Sequence, residues 1–142
     1  MKAMEISRSA LDVEWQRLQV IAQNLANINT SRTATGEAYR PMRLVSGPQA
    51  DFAQLLAGRG QAQRPAGVHV MGLEALPGNV RRVHEPGHPH ADPEGFVTYP
   101  DLDLAGEMTL MIKTSRSYEA NLVAMNIAHQ MYARALDFGR QG

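Results

Sequence analysis

Cysteine is absent from the 142 residues, which excludes disulfides, thiolate metal ligands and a thiol nucleophile. A chain without cysteine suits a reducing or an oxidising compartment equally. Charge of one sign is missing too. Lys and Arg total 14, Asp and Glu total 14, and no block of like charge occurs. That leaves no electrostatic footprint for nucleic acid or for an anionic membrane surface. Aromatics are sparse, at 6%. No apolar run approaches the roughly 20 residues that a membrane-spanning helix needs. The first turns carry Lys2, Glu5, Arg8, Asp12, Glu14 and Arg17, where a cleavable signal peptide needs an unbroken apolar stretch. Taken alone, these absences point to the cytoplasm.

Glycine and proline are scarce at both ends. The chain has 12 Gly and 8 Pro, and most of them fall between Gly36 and Pro100. Residues 4 to 28 contain neither. There Met4, Leu11, Leu18 and Leu25 recur every seven residues, with Trp15, Ile21, Ala22 and Ile28 three or four residues away. That spacing predicts a helix with an apolar stripe close to a coiled-coil seam, about 37 Å long. Residues 104 to 138 repeat the pattern. Leu104, Met108, Met111, Ser115, Tyr118, Leu122, Met125, His129, Tyr132 and Leu136 alternate spacings of four and three. They predict a second helix of about 52 Å.

The middle cannot hold long helices through its Gly and Pro punctuation. Val68 to Leu76 and Asn79 to Glu85 read as short strands joined by Pro77-Gly78, and Phe96 to Tyr99 as another. Ser46 to Pro65, rich in Gly, Gln and Ala, reads as a flexible loop. The expected fold is therefore mainly α with a small β-rich middle. Long N- and C-terminal helices pack as a coiled-coil-like pair around a small β/loop insertion. The expected units are residues 1–30, 31–103 and 104–142. A middle of about 70 residues is marginal as an independent core. The helices carry more seam than it can cover, so they pair with each other and leave surface for other subunits. The pattern describes an assembly protein with helical ends.

Candidate chemistry is thin. His84-Glu85-Pro86-Gly87-His88 spells the H-E-x-x-H of zinc proteases, which works only when a helix sets both histidines on one face. Pro86 and Gly87 favour a turn instead. His88, His90, Asp92 and Glu94 read as a polar, solvated turn rather than a metal loop. No G-x-S-x-G elbow or phosphate loop is present, and Gly58-Arg59-Gly60 is too short for one. Asn29-Thr30-Ser31 matches a glycosylation sequon only weakly. Met108, Met111 and Met125 fall at helical spacing, as packing residues do. Asn24, Asn27 and Asn29 cluster near the end of the first helix, as fraying or as polar groups that fix register across a helix–helix interface. No catalytic, cofactor-binding or metal site is expected.

The run from Ser9-Ala10-Leu11 through Asn24-Leu25-Ala26-Asn27-Ile28-Asn29-Thr30 resembles the terminal signature N-L-A-N-x-x-T of flagellar axial proteins, the rod, hook and hook-associated subunits. Glu85 to Pro100 resembles the E-P-G-x-P-x-A-D-x-x-G-[YF]-V-x-x-P segment of the FlgC-type proximal-rod subgroup. It leads into Ser115-Arg116-Ser117-Tyr118-Glu119-Ala120-Asn121, similar to that family's C-terminal helix signature. His84 departs from the subgroup, which commonly has another residue there. Residues 44 to 76 match weakly.

The resemblance implies a non-enzymatic structural subunit of the proximal rod of the flagellar basal body. Such subunits are exported by the flagellar type III apparatus without a cleavable signal and assemble in the periplasm. Their helices build a tube that transmits torque and surrounds the export channel. The implied partners are other rod subunits, further copies of the chain, and the export gate and adaptor proteins, with no nucleic acid and no direct membrane span. Leu11, Trp15, Leu18, Leu25, Tyr118, Leu122, Met125 and Leu136 are the expected packing residues at subunit interfaces. Asn24, Asn27, Arg116 and Asn121 are the expected polar register contacts. The competing readings are a helical-hairpin adaptor or secreted interaction protein, and a metallohydrolase using His84, Glu85 and His88.

Overall fold

The computed structural model describes residues 2–49 and 66–140. Helix α1 spans Lys2–Ala26. Four strands follow: β1 (Met42–Pro48), β2 (Val68–Ala75), β3 (Val80–His84) and β4 (Phe96–Pro100). Helix α2 then spans Leu104–Arg140. The mainly α architecture with a small β middle is therefore observed. At 1.5 Å per residue α1 is about 37 Å long and α2 about 55 Å. The first helix stops two residues before Ile28, in a turn where Asn27 Nδ2 donates to Gln23 O at 2.9 Å. The second passes through Gly139 without breaking and ends at Arg140.

The β middle is two separate antiparallel pairs, β1–β2 and β3–β4. Pro77-Gly78 therefore links two sheets rather than closing a hairpin. Met42 faces Ala75 and Pro48 faces Val68, with a bulge between Val45 and Ser46. Strand β1 departs from the sequence expectation of a loop beginning at Ser46, since Ser46 to Pro48 belong to the ladder. The rest of that expected loop, residues 50–65, lies outside the described residues.

The first helix buries two faces. Leu11 and Ile21 are buried, and Val13 and Val20 join Leu44 in a cluster flanked by Met42, Val68 and Val70. The apolar spacing at 13 and 20 is again seven residues, so α1 carries two offset seams and the sheet takes the second. Its side chains also occupy the edge of β1 that points away from β2. Asn24 Oδ1 accepts from Met42 N at 3.0 Å and its Nδ2 donates to Met42 O at 2.8 Å. Arg17 Nη1 donates to Leu44 O at 3.1 Å. The start of β2 is held likewise, with Val68 N donating to Ser9 Oγ at 3.1 Å.

The β3–β4 pair is tied to the segment after α1 by Arg81 Nη2 to Asn29 Oδ1 at 3.0 Å, and by Ser31 Oγ with His90 Nδ1 at 2.8 Å. Arg81 lies 5.0 Å over the Tyr99 ring and Arg82 4.7 Å over Phe96. Both arginines thus use the aromatic faces of the neighbouring strand.

Candidate functional site: the helical pair and its open face

Helices α1 and α2 run antiparallel, as three contacts along their length show. Asn24 meets Glu107 at the closed end. Trp15 and Tyr118 lie with ring centroids 6.4 Å apart in the middle. Met4, Glu5 and Arg8 face Met125, Asn126 and His129 around a cavity of about 630 Å³ at the open end.

The closed end is organised by polar groups. Asn24 is 0% exposed and Glu107 is 2% exposed. Asn24 Nδ2 donates to Glu107 Oε2 at 3.2 Å, and Arg43 Nη2 donates to Glu107 Oε1 at 2.6 Å. Tyr39 OH donates to Asn24 Oδ1 at 3.1 Å. Burial, followed by the Glu107 carboxylate nearby, raises the Tyr39 hydroxyl above its ordinary value. A buried charge is tolerable only when paired and hydrogen-bonded, and Arg43 and Asn24 supply both conditions for Glu107. One amide side chain therefore sets the register among α1, β1 and α2.

Asn24 therefore hydrogen-bonds across the contact between the two helices of one subunit. A fully buried amide with these partners fixes register inside the subunit. Its partners Tyr39 and Glu107, and Arg43 bound to Glu107, were not anticipated. Glu107 carried one weak signal, an acid in helical phase with Met111 and Tyr118. Asn27 bonds within its own turn, accepting from Thr30 Oγ1 at 3.0 Å. Asn121 Nδ2 donates to Ser117 O at 2.8 Å on its own helix. Arg116 is exposed and lines an open cavity of about 490 Å³ with Ile112 and Lys113. Leu11 is buried, while Leu18, Leu25, Tyr118 and Met125 are half-buried between the helices.

The phase of α2 differs from the heptad expectation by about one position. Its two buried residues are Glu107 and Thr114, and Asn121 continues their seven-residue spacing half-buried. The stripe turned toward α1 is thus partly polar. The strongly apolar positions are left outside. Leu104, Met108, Ile112, Leu122, Val123 and Ile127 are exposed, and so is Trp15, at 55%. Beyond His129, α2 runs to Arg140, about three turns past the start of α1, and Tyr132, Leu136 and Phe138 there are exposed. Scattered exposed apolar residues are ordinary, but a contiguous set along one long helix marks an interaction surface.

The His84-to-His88 segment is no helix. His88 N donates to Glu85 O at 3.0 Å and Glu85 N to Gly95 O at 2.9 Å, which closes a turn. Gly95 takes φ of +82°, and a Cβ there would press on His84 Nε2 and Pro86 at 3.2 Å. His84 packs on Phe96 with centroids 5.0 Å apart, and His88 lies 5.1 Å from His90. Glu85 Oε2 accepts from Tyr99 OH at 2.9 Å, and this bond raises the Tyr99 hydroxyl above its usual range. Asp92 Oδ1 accepts from Phe96 N at 2.7 Å, and Asp92 pairs with Arg82 through its other oxygen. The Phe96 N–H first, and then Arg82, hold the Asp92 carboxyl below its usual value. Among the described residues no group of three His, Asp or Glu side chains is placed to hold a metal ion. The segment works as a stapled turn.

Paired terminal helices, a partly polar inner seam and a long apolar outer face define an assembly subunit. The comparisons with known proteins agree in detail. Residues 4–32 match the family model for flagella basal body rod proteins, and residues 94–138 match the C-terminal model of the flagellar basal body rod FlgEFG proteins. The chain is 35% identical over 136 residues to the flagellar basal-body rod protein FlgC of Yersinia enterocolitica and to that of Salmonella typhimurium, covering 96% of this chain and 95% of each relative. It is 32% identical over 145 residues to the FlgC of Bacillus subtilis, covering 97% of both chains. The chain belongs to the FlgC family of flagellar basal-body rod proteins.

Proposed function

We propose that the chain is a structural subunit of the proximal rod, built into a tube through the outer faces of α1 and α2. The observation that carries this reading is the inversion along α2. Polar Glu107 and Thr114 are buried within the subunit, while Leu104, Met108, Ile112, Val123 and Ile127 face outward. A monomer that needed only its own stability would bury the leucines and expose the glutamate. Outward apolar faces are stabilised by neighbouring chains, and non-closing contacts between such chains build a helical tube. The tube transmits torque and surrounds the export channel. The subunit acts in the periplasm, reaches it through the flagellar export apparatus, and contacts other rod subunits and the export gate. Its role is mechanical rather than catalytic. Residues 1–30 and 104–142 serve as the axial part and residues 31–103 as the insertion. Trp15, Leu122 and Leu136 serve as contact residues between subunits, with Arg116 as a polar one.

In-frame deletion of the gene, scored for swimming and for basal bodies by electron microscopy, tests the reading. Non-motile cells with truncated rods, rescued by the wild-type gene but not by Leu122→Asp, are expected. Normal motility and intact basal bodies after deletion of every copy of the gene would remove the rod assignment.

A further inference from the structure

The open end of the helical pair holds a hole and a knob. The hole is the cavity of about 630 Å³ whose lining includes Met4, Met125 and His129, with Glu5 and Arg8 supplying one charge of each sign. The knob is Phe138, 78% exposed and the most exposed large apolar side chain among the described residues. Arg134, Asp137 and Arg140 surround it in sequence. The charges match at Arg8 of the lining and Asp137 beside the knob. Methionine is the adaptable lining that aromatic side chains favour. The cavity is also continuous with the α1–α2 contact, because Met125 belongs to the stripe of α2 that packs on α1.

Phe138 cannot fill the hole of its own chain. Nine residues of unbroken helix separate His129 from Phe138, about 14 Å along a rigid axis. Phe138 can enter such a hole only in another molecule. We propose that Phe138 of one copy inserts into the Met4–Met125 cavity of a second copy. This inference rests on the chain being a rod subunit and names one specific contact within that reading. Each copy gives a knob at one place and receives one at another, so the contact is heterologous and does not close on itself. It gives the assembly a direction.

The test replaces Phe138 with the photoreactive aromatic p-benzoylphenylalanine in cells and irradiates basal bodies isolated from them. The expected product is a covalent dimer of the chain whose linked peptides map to residues 4–8 or 125–129. Met125→Asp lowers its yield at least tenfold, and Met71→Asp on the sheet leaves it unchanged. Adducts elsewhere on a second copy, adducts with a different protein, or no adduct overturn the contact. If the bulky analogue is not incorporated, Phe138→Cys combined with Met4→Cys replaces it. In a chain without other cysteines, mild oxidation gives disulfide-linked multimers where the contact exists and monomers where it does not. Absence of the wild-type chain from isolated basal bodies would instead remove the rod reading itself, a separate outcome.

Discussion

Asn24→Ala removes one small amide and should loosen the whole closed end of the molecule. The amide makes four hydrogen bonds, to Met42 N, Met42 O, Tyr39 OH and Glu107 Oε2. A typical bond contributes about 1 kcal/mol net, and a buried group left unpaired costs about 1–3 kcal/mol. Alanine leaves Met42 N and O, the Tyr39 hydroxyl and one Glu107 oxygen without this partner. Some recover water, so the expected loss is about 3–5 kcal/mol, a large part of a typical domain's total. In thermal melting of the isolated chain followed by circular dichroism, the midpoint should fall by roughly 10 °C. The Met42 amide should also exchange its hydrogen faster than amides of β4. Asn24→Asp sharpens the test through pH. It sets a second carboxylate beside Glu107, and two adjacent carboxylates raise the pKa of the pair. A carboxyl whose folded pKa is raised contributes stability at low pH and loses it as pH rises through the folded value. Asn24→Asp should therefore be closer to wild type at pH 5 than at pH 8. A loss below about 1 kcal/mol for the alanine variant, or no pH trend for the aspartate, would refute the account of Asn24 as the register hub.

Further outcomes follow from other parts of the molecule. Ile127→Asp, on the exposed face of α2, should change the melting of the isolated chain by no more than about 0.5 kcal/mol and still abolish swimming; a strongly destabilised chain would show that the face is not free. Gly67→Ala should cost about 1–3 kcal/mol in urea unfolding, because φ is +108° and the added Cβ would meet Ser9 Oγ at 2.5 Å. Gly36→Ala, with open space around it, should cost only about 1 kcal/mol, and equal losses would contradict the close contact at Ser9. The Asp92 carboxyl has a lowered folded pKa, so its contribution is present above the unfolded value and fades as pH falls through the folded one. Wild type should lose stability in acid relative to Asp92→Asn, and parallel pH profiles would count against the Phe96 and Arg82 bonds. Zinc titration should leave melting unchanged, and a stoichiometric rise in midpoint would return the His84 to Glu94 turn to consideration as a metal site.

Both helices were legible because their apolar residues recur every three or four positions, with no Pro between them and Gly106 alone interrupting the second seam. The strand Met42–Pro48 was not. Its alternation is poor, it ends in Gly47-Pro48, and its outer edge is completed by Asn24 and Arg17 from far earlier in the chain. Local pattern cannot show a partner 18 or more residues away. The strands on either side of Pro77-Gly78 were legible as strands, but their partners were not, because pairing depends on where α1 places β1. The phase of α2 misled for a different reason. Leu104, Met108 and Leu122 form a seam as convincing as the one containing Glu107 and Thr114. Periodicity registers that a face is apolar, not whether it meets the same chain or another. At the site, Asn24 could be read as a register residue, whereas Glu107, Arg43 and Tyr39 become visible only once three elements converge.

The side chains of α1 that occupy the outer edge of β1 have a consequence for how such molecules meet. An open strand edge is a template for any other strand, whatever its sequence, and pairing there leads to aggregates without defined order. With Met42 N and O satisfied by Asn24, and Leu44 O by Arg17, the first part of that edge is already taken by α1. Crowded subunits are thereby steered away from strand exchange and toward contacts between helices, where side-chain shape distinguishes the right neighbour from the wrong one.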